Sequence, residues 1–531
     1  MGRERSYYLA ALLLLILAAF LVRVASLDAQ SLWRDEVDSL RFATVPGPEL
    51  LSSFTRPGWN GPLYHLLLRG WIVLAGISEY AMRFFSLVFG VLGVPLIYAL
   101  GKRLFSRPTG VISALLVTGS PYLVWYSQEV KMYTLVLALA MVAVYSLRRA
   151  LDSGSWCWWA TQFAATALAL YVHILAVLLI PVQLLMCVAR WSEARLRWRG
   201  VLISFAGLTL PYLPLVLWQA PLAFQARITG FSAYPLHQMI VILLNSWASG
   251  VTGWAGPWAA APLVLLVGAA LVAGTASLVP FVPSGNETES ETGIAELLAL
   301  VIWLFAPLLA IWVISLRQPL FTDRYLIWSA PAFYLLAARG LTPAISARTW
   351  KRVTAALTLI VVLVVYGGNL WAQATSPIKS DFRAAAAYVA SYDDQAEPAE
   401  RPPPSAFRAF RLYLPLVRVG QRGFEDLIIF QIPYGQHTFD YYFPTDDYAA
   451  AEGLYTNHRA PEGGYLISEH QAAWQMREMT EGYGGVWLIA TEVMTWDERD
   501  LVHGWLDDHM ERVDEAHFAR VSVYRYVRRA P

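Results

Sequence analysis

Charge is what this chain has least of. Only 15% of its 531 residues are Asp, Glu, Lys or Arg, against 57% hydrophobic. A soluble protein of this length needs far more charge to cover its surface, so a purely soluble globule is excluded. Lysine is nearly missing: Lys102, Lys131, Lys351 and Lys379 are the only four. The net charge is +1 and there is no basic arm, so nothing points to nucleic acid. Cysteine is limited to Cys157 and Cys187, both in apolar runs, and no disulfide can hold the C-terminal part. There is no HxxxH or HxH spacing for a metal. The first apolar run is too long for a cleavable signal and lacks a small-x-small site, so it reads as a retained helix.

What is present is apolar length, unevenly spread. Up to about residue 375 the hydrophobic residues come in long runs; beyond it the composition is that of an ordinary soluble domain. A spanning helix needs ~20 mostly apolar residues. Spans are expected near 7–26, 82–104, 109–126, 131–150, 156–172, 174–190, 200–219, 257–282, 294–315, 324–340 and 352–373. That is about eleven, in a range of roughly ten to thirteen. The aromatic segment 62–77, with Arg69 inside it, reads as a helix lying in the interface. With the N-terminus in the cytoplasm, Lys102/Arg103/Arg107, Arg148/Arg149, the run Arg190 to Arg199, and Arg348/Lys351/Arg352 all fall inside, as the positive-inside rule requires. The acidic linker from Pro283 is then also inside, which empties the Asn286 sequon of meaning.

The expected fold class is therefore a polytopic α-helical membrane protein with a C-terminal extracytoplasmic α/β domain. The membrane domain covers 1–375 and includes a first extracytoplasmic loop, 27–81; the second domain covers 376–531. The expected location is the cell membrane, multi-pass.

Ionisable groups near membrane depth are costly, so clusters of them are functional candidates. Five outer-side clusters stand out: Ser31-Leu-Trp-Arg-Asp-Glu-Val-Asp, Trp59-Asn-Gly-Pro-Leu-Tyr-His, Trp125-Tyr-Ser-Gln-Glu-Val-Lys-Met-Tyr, Pro319-Leu-Phe-Thr-Asp-Arg-Tyr-Leu and Lys379-Ser-Asp-Phe-Arg. These residue types suit sugar transfer from a lipid phosphate. A carboxylate, Asp35 or Glu36, would take the proton of an acceptor hydroxyl or orient it. Fixed cations, Lys131, Arg324 and Arg383, would hold the departing phosphate. Trp33, Tyr64, Tyr126, Tyr133 and Tyr325 could pack a sugar face or a prenyl tail. Asn60, His65, Gln128 and Glu129 complete the set of substrate-contact candidates. Asp35 and Glu129 are the pair that could share a hard cation, if a divalent metal is used.

Plainer readings stand beside these. Taken singly, Lys131 and Arg324 are snorkelling interfacial anchors. Asp35 and Glu36 sit where acids cap a helix, and for Glu36 capping and catalysis weigh equally. Asp38 is a solvated face or a salt bridge to Arg34 or Arg41. His65 and His173 are more often satisfied polar residues than metal ligands, and Trp156-Cys-Trp-Trp reads as an aromatic belt. Convergence of paired acids and separated cations on one side favours the functional reading.

At this point the motifs carry a resemblance. From the first span to about residue 150, again over Pro319 to Leu326, and again over Lys379 to Arg383, the chain resembles bacterial GT-C glycosyltransferases of the protein O-mannosyltransferase and lipid A aminoarabinose-transferase type. Leu32-Trp33-x-Asp35-Glu36 is similar to the family's first-loop acidic signature, which implies that Asp35 is the catalytic member of the pair. Trp125 to Tyr133 is similar to the second-loop motif, with Lys131 where the family often has Arg. Arg324-Tyr325-Leu326 is similar to the Arg-Tyr pair near the carrier phosphate, and Ser78 to Arg83 is typical of the second span. Asn60-Gly61-Pro62-Leu63 departs from the usual Lys or His before Pro-Pro-Leu. The resemblance implies a polyprenyl-phosphate sugar donor, a lipid, glycan or protein acceptor, and inversion at the anomeric carbon. A lipid-linked sugar transporter or flippase is the alternative, and an inactive scaffold a third reading. Transporters tend to show internal repeats and charged broken spans, and neither is evident here.

After Lys379 the pattern predicts a helix over 382–392, a loop around Arg401-Pro-Pro-Pro, strands over 426–432 and 485–491, a helix over 496–509 and one or two strands within 512–527. His437, Asp440, Tyr441 and Tyr442 are the only tempting polar group there, with a structural reading favoured.

Overall fold

The structure, a computed structural model, describes residues 2–55, 60–224, 232–252, 256–276, 287–345, 349–393, 424–443, 445, 448–459 and 463–529. Trp59, the Pro283 end of the acidic linker with its Asn286 sequon, and the Arg401-Pro-Pro-Pro stretch lie outside the described residues. The chain divides into two compact units. One comprises Met1–Leu27 and Val45–Thr375; the other comprises Asp28–Thr44 and Ser376–Pro531. The first loop is split between them: its acid-bearing segment belongs to the C-terminal unit.

The first unit is helical, and the protein is a multi-pass membrane protein. Five of its described helices are long and apolar enough to cross a bilayer: Ser6–Val24, Glu79–Leu104, Tyr133–Ser153, Gly293–Ser315 and Trp350–Thr375. Shorter apolar helices cover Pro62–Ala75, Ile174–Ala189 and Ala261–Val272. The segment 109–126, expected as one span, is two helices, Arg107–Gly119 and Pro121–Ser127. Pro121 has no N–H to donate, so backbone carbonyls before it lose their helical partner. Arg23, fully buried on the first helix, fills the gap. Its guanidinium donates to Val117 O and Thr118 O, each at 3.0 Å, to Ala19 O at 3.2 Å and to Ser127 Oγ at 3.1 Å. The segment 324–340, also expected as one span, opens as a tight turn over Asp323–Ser329 before the helix Ala330–Ile345.

Three of the basic clusters expected inside the cell are brought together. Arg103 and Arg148 pair with Asp152, while Arg148 Nε and Arg190 Nη1 reach Glu296 Oε1 at 2.7 and 2.6 Å.

The second unit is built on one five-stranded sheet: β1 (Phe424–Phe430), β2 (Tyr448–Glu452), β3 (Gly485–Ala490), β4 (Met510–Phe518) and β5 (Val521–Arg528), in the order β2-β1-β3-β5-β4. β2, β1 and β3 run parallel; β5 is antiparallel to β3 and β4. Strand side chains alternate between faces. Ile428, Phe430, Trp487 and Ile489 therefore pack against helix Phe382–Asp393 and Phe439 of helix Gly435–Tyr442. Leu427, Ile429, Val486 and Leu488 pack on the other side with Met476 of helix Glu469–Thr480 and Leu506 of helix Leu501–His509. Both faces being covered, β3 is buried along its whole length.

Candidate functional site

The site residues expected from the sequence fall on both units, and each unit organises its own share.

In the C-terminal unit the acids lie at the start of helix Arg34–Thr44. Trp33 precedes it, and Glu36 reaches back to accept from Trp33 N at 3.4 Å, half of a capping box. Glu36 is fully buried, and Lys379 Nζ donates to its Oε2 at 2.8 Å. Two charges withdrawn from water in this way persist only as a pair. Lys379 is the functional-region residue that the sequence motif contained but that no spacing could connect to Glu36. The same segment is tied down elsewhere: Leu32 N donates to Tyr442 OH at 2.6 Å, Ser31 Oγ to Ser380 O at 2.7 Å, and Ile378 N and Lys379 N to Gln30 Oε1. Arg383 Nη2 donates to Asp28 O at 3.0 Å. Asp35, next to the locked Glu36, is only half-buried. Asp38 pairs with both Arg41 and Arg34, at 3.3 and 3.8 Å. Tyr442 thus serves to hold the acid-bearing segment, in line with the structural reading of the 437–442 group.

In the membrane unit, four separate segments converge. Gly61 sits at φ 75°, where a Cβ would come within 3.1 Å of Met132 Cε and 3.2 Å of Val172 O, so only glycine lets this turn close. Asn60 beside it accepts from Ile174 N at 3.0 Å, a structural contact. Tyr64 OH lies 3.3 Å from Ser86 Oγ, which donates to Lys131 O. The Lys131 charge acts on His65. Rings then run from Tyr126 to Tyr133 (5.1 Å), Tyr133 to His173 (6.3 Å) and His173 to Tyr325 (5.2 Å). Arg324 lies 5.9 Å from the Tyr325 ring and within electrostatic reach of His173 and Tyr126; Glu129 and Asp323 also act on Tyr126. Gln128 donates to Arg23 O at 2.8 Å and Ser26 Oγ at 3.2 Å. Sequence reasoning set His173 aside, yet it is buried between Tyr133 and Tyr325; a lone histidine in an apolar run gives no signal of that position.

Among the described residues no group of three or more His, Cys, Asp or Glu side chains is placed to hold a metal ion. Asp35 and Glu129 belong to different units.

Residues 57–218 match the family described as dolichyl-phosphate-mannose-protein mannosyltransferase. No curated protein sequence matches the chain. Among solved structures, the chain is similar to ArnT from Cupriavidus metallidurans in the apo state, with 13% identity, TM-score 0.56 and 97% of each chain covered. It is similar also to the same protein bound to undecaprenyl phosphate, with 13% identity, TM-score 0.53 and 97% of each chain covered. The Archaeoglobus fulgidus oligosaccharyltransferase complex with Zn and sulfate matches at 12% identity and TM-score 0.56, over 98% of this chain and 73% of that one. The chain thus has the fold of ArnT and of the archaeal oligosaccharyltransferase.

Proposed function

We propose that this protein transfers a sugar from a polyprenyl-phosphate carrier to an acceptor hydroxyl at the extracytoplasmic face of the cell membrane. The observation that carries the reading is the gathering of Lys131, Arg324, Tyr133, Tyr325 and His173 from distant segments of the membrane unit. Such a set of fixed cations among aromatic rings suits a phosphate ester whose sugar and prenyl tail are apolar on their faces. The similarity to a protein solved with undecaprenyl phosphate supports the same donor class and disfavours the transporter alternative.

In this reading Arg324 and Lys131 hold the carrier phosphate and stabilise the charge it gains. Asp35 takes the proton from the acceptor hydroxyl, whose oxygen attacks the anomeric carbon with inversion. The glycosidic C–O bond breaks and its electron pair leaves on the lipid phosphate. Glu36 is a positioning residue: its ion pair with Lys379 sets the start of the helix that carries Asp35. Arg383, bound to Asp28 O, holds the same segment. Tyr64, His65, Tyr133 and Tyr325 shape the donor pocket, and Asn60 and Gln128 brace its loops. The N-terminus is cytoplasmic and the C-terminal domain outside. The sugar, hexose or pentose, is set by that pocket. A divalent metal, compatible with the zinc in the archaeal structure, is tested by chelation and add-back of Mn²⁺ or Mg²⁺.

The deciding experiment is transfer from a panel of radiolabelled polyprenyl-phosphate sugars by the purified protein, wild type against Asp35→Asn. Consumption of a donor by the wild type alone is expected. Equal turnover by both removes Asp35 from the mechanism, and no turnover with any donor removes the transferase reading.

A further inference from the structure

The three parallel strands of the C-terminal unit end at an open groove of about 580 Å³, lined among others by Pro433, Glu452, Tyr455, Gln475, Glu478 and Trp496. Its size is that of a small-molecule site. Its place is the one where open α/β sheets bind ligands, outside the carboxyl ends of parallel strands. Pro433 follows β1, Glu452 ends β2 and Tyr455 follows it, and Trp496 follows β3.

Its lining includes two aromatic rings, Tyr455 and Trp496. Tyr455 and Trp496 stack with centroids 4.2 Å apart, His458 stacks on Tyr455 at 5.5 Å, and Tyr434 meets Trp496 edge-on at 6.1 Å. The two loops that carry these rings are stitched together. Thr456 N and Asn457 N both donate to Trp496 O, and Asn457 Nδ2 donates to Met494 O. Buried Asp497 accepts from Thr456 Oγ1, Leu501 N and Val502 N. Glu492, which starts the short helix Val493–Trp496, sits at φ 48°, a costly conformation for a residue with a side chain. Strain of this kind is retained where surrounding structure over-determines it, and such places cluster at ligand sites. The lining also carries hydrogen-bonding groups, Glu452, Gln475 and Glu478.

We infer that this groove is a saccharide-binding site, the acceptor subsite of the transferase. An aromatic ring matches the C–H face of a pyranose, while carboxylates and an amide match its hydroxyls. Two glutamates admit neutral sugars and amino sugars and repel uronates and phosphorylated sugars. The aromatic contacts continue toward the candidate acid within the same unit: Arg34 Cζ lies 3.5 Å over the Tyr434 ring, and Asp35 is the next residue. Tyr434 OH in turn donates to Glu492 at 3.2 Å. The acceptor is accordingly a glycan or the sugar headgroup of a lipid. The word acceptor rests on the proposed transferase activity; the saccharide site does not.

The test measures binding of neutral trisaccharides, mannotriose and chitotriose, to the full chain in nanodiscs with no donor present, by saturation-transfer NMR and tryptophan fluorescence. Saturable binding by the wild type is expected. Tyr455→Ala and Glu478→Gln should each weaken it by about tenfold or more. Tyr455→Phe should stay within about twofold, because the ring is what packs. Val513→Ala, on β4 at the far edge of the sheet, should change nothing. Trigalacturonate should not bind. Absence of saturable binding, equal binding by Tyr455→Ala, or preference for the uronate or for an unglycosylated peptide would each overturn the proposal. Because no donor is used, failure here leaves the transferase reading standing. A wild type that binds trisaccharide but consumes no donor overturns only the word acceptor.

Discussion

Two buried cations serve the two units in different ways. Arg23, in the membrane unit, has backbone carbonyls and a serine hydroxyl around its guanidinium. Lys379, in the C-terminal unit, has a full carboxylate, Glu36. The difference follows from geometry. A planar fork with five donors can satisfy several carbonyls where a proline breaks a helix, whereas an ammonium is a point charge that needs one strong partner. Each stands one step behind a candidate functional segment. Arg23 holds the break before Gln128, Glu129 and Lys131; Lys379 holds the start of the helix that bears Asp35.

The largest expected effect falls on Asp35. Asp35→Asn should lower turnover by about 10²–10⁴-fold, the range for losing a general base, with an unchanged melting midpoint. A fall in stability of similar size would class Asp35 with Glu36 instead. Next is the ion pair. Lys379→Met takes the ammonium away from the buried Glu36 carboxylate and should cost about 3–5 kcal/mol. Lys379→Met with Glu36→Leu should recover most of that in denaturant unfolding of the C-terminal unit, and the activity of this double variant separates positioning from catalysis by Glu36. Arg23→Met should cost about 1–3 kcal/mol by stranding the carbonyls of Val117 and Thr118. Arg23→Lys should fall between, since three donors on one nitrogen cannot span the same oxygens.

The smallest effect is a pH dependence. Burial, and then the Arg41 charge, lowers the His437 pKa, against weaker opposite pulls from Asp38 and Glu452. Below about 6.5, where an unfolded histidine protonates, the unfolded chain takes up a proton that the folded chain resists. Stability should thus be flat above that pH and fall as pH drops below it toward the lowered folded value. His437→Gln should flatten the thermal-shift profile over that window.

Local pattern reached far in some places and failed in others for a physical reason. Strands β1 and β3 announced themselves through β-branched and aromatic runs, and the helix after Lys379 through its apolar spacing. β2 did not: Tyr448-Ala-Ala-Ala-Glu has helix-forming composition and is a strand only because it pairs with β1 along the sheet edge. Helix Glu469–Thr480 is largely polar on its outer side and was equally silent, though Ser468 and Gln471 form a capping box that could have marked its start. Two expected spans were interrupted, at Ser120-Pro121 and at Asp323–Ser329, because hydropathy counts apolar residues and does not register where a proline or a tight turn ends the helix. The candidate residues were visible as motifs, but not which of them bear on one another.

Composition and periodicity alone determined that this is a membrane protein with a soluble α/β domain at its end, and which short polar motifs carry its acids and cations, because the bilayer and the sheet each impose a repeat that is written locally. Only the tertiary structure decided that residues 28–44 belong with the C-terminal unit, that Glu36 answers to Lys379, that His173 stands between Tyr133 and Tyr325, and that Tyr455 and Trp496 stack. Each of these is a contact between residues far apart in the chain, and no local repeat encodes a partner at that distance.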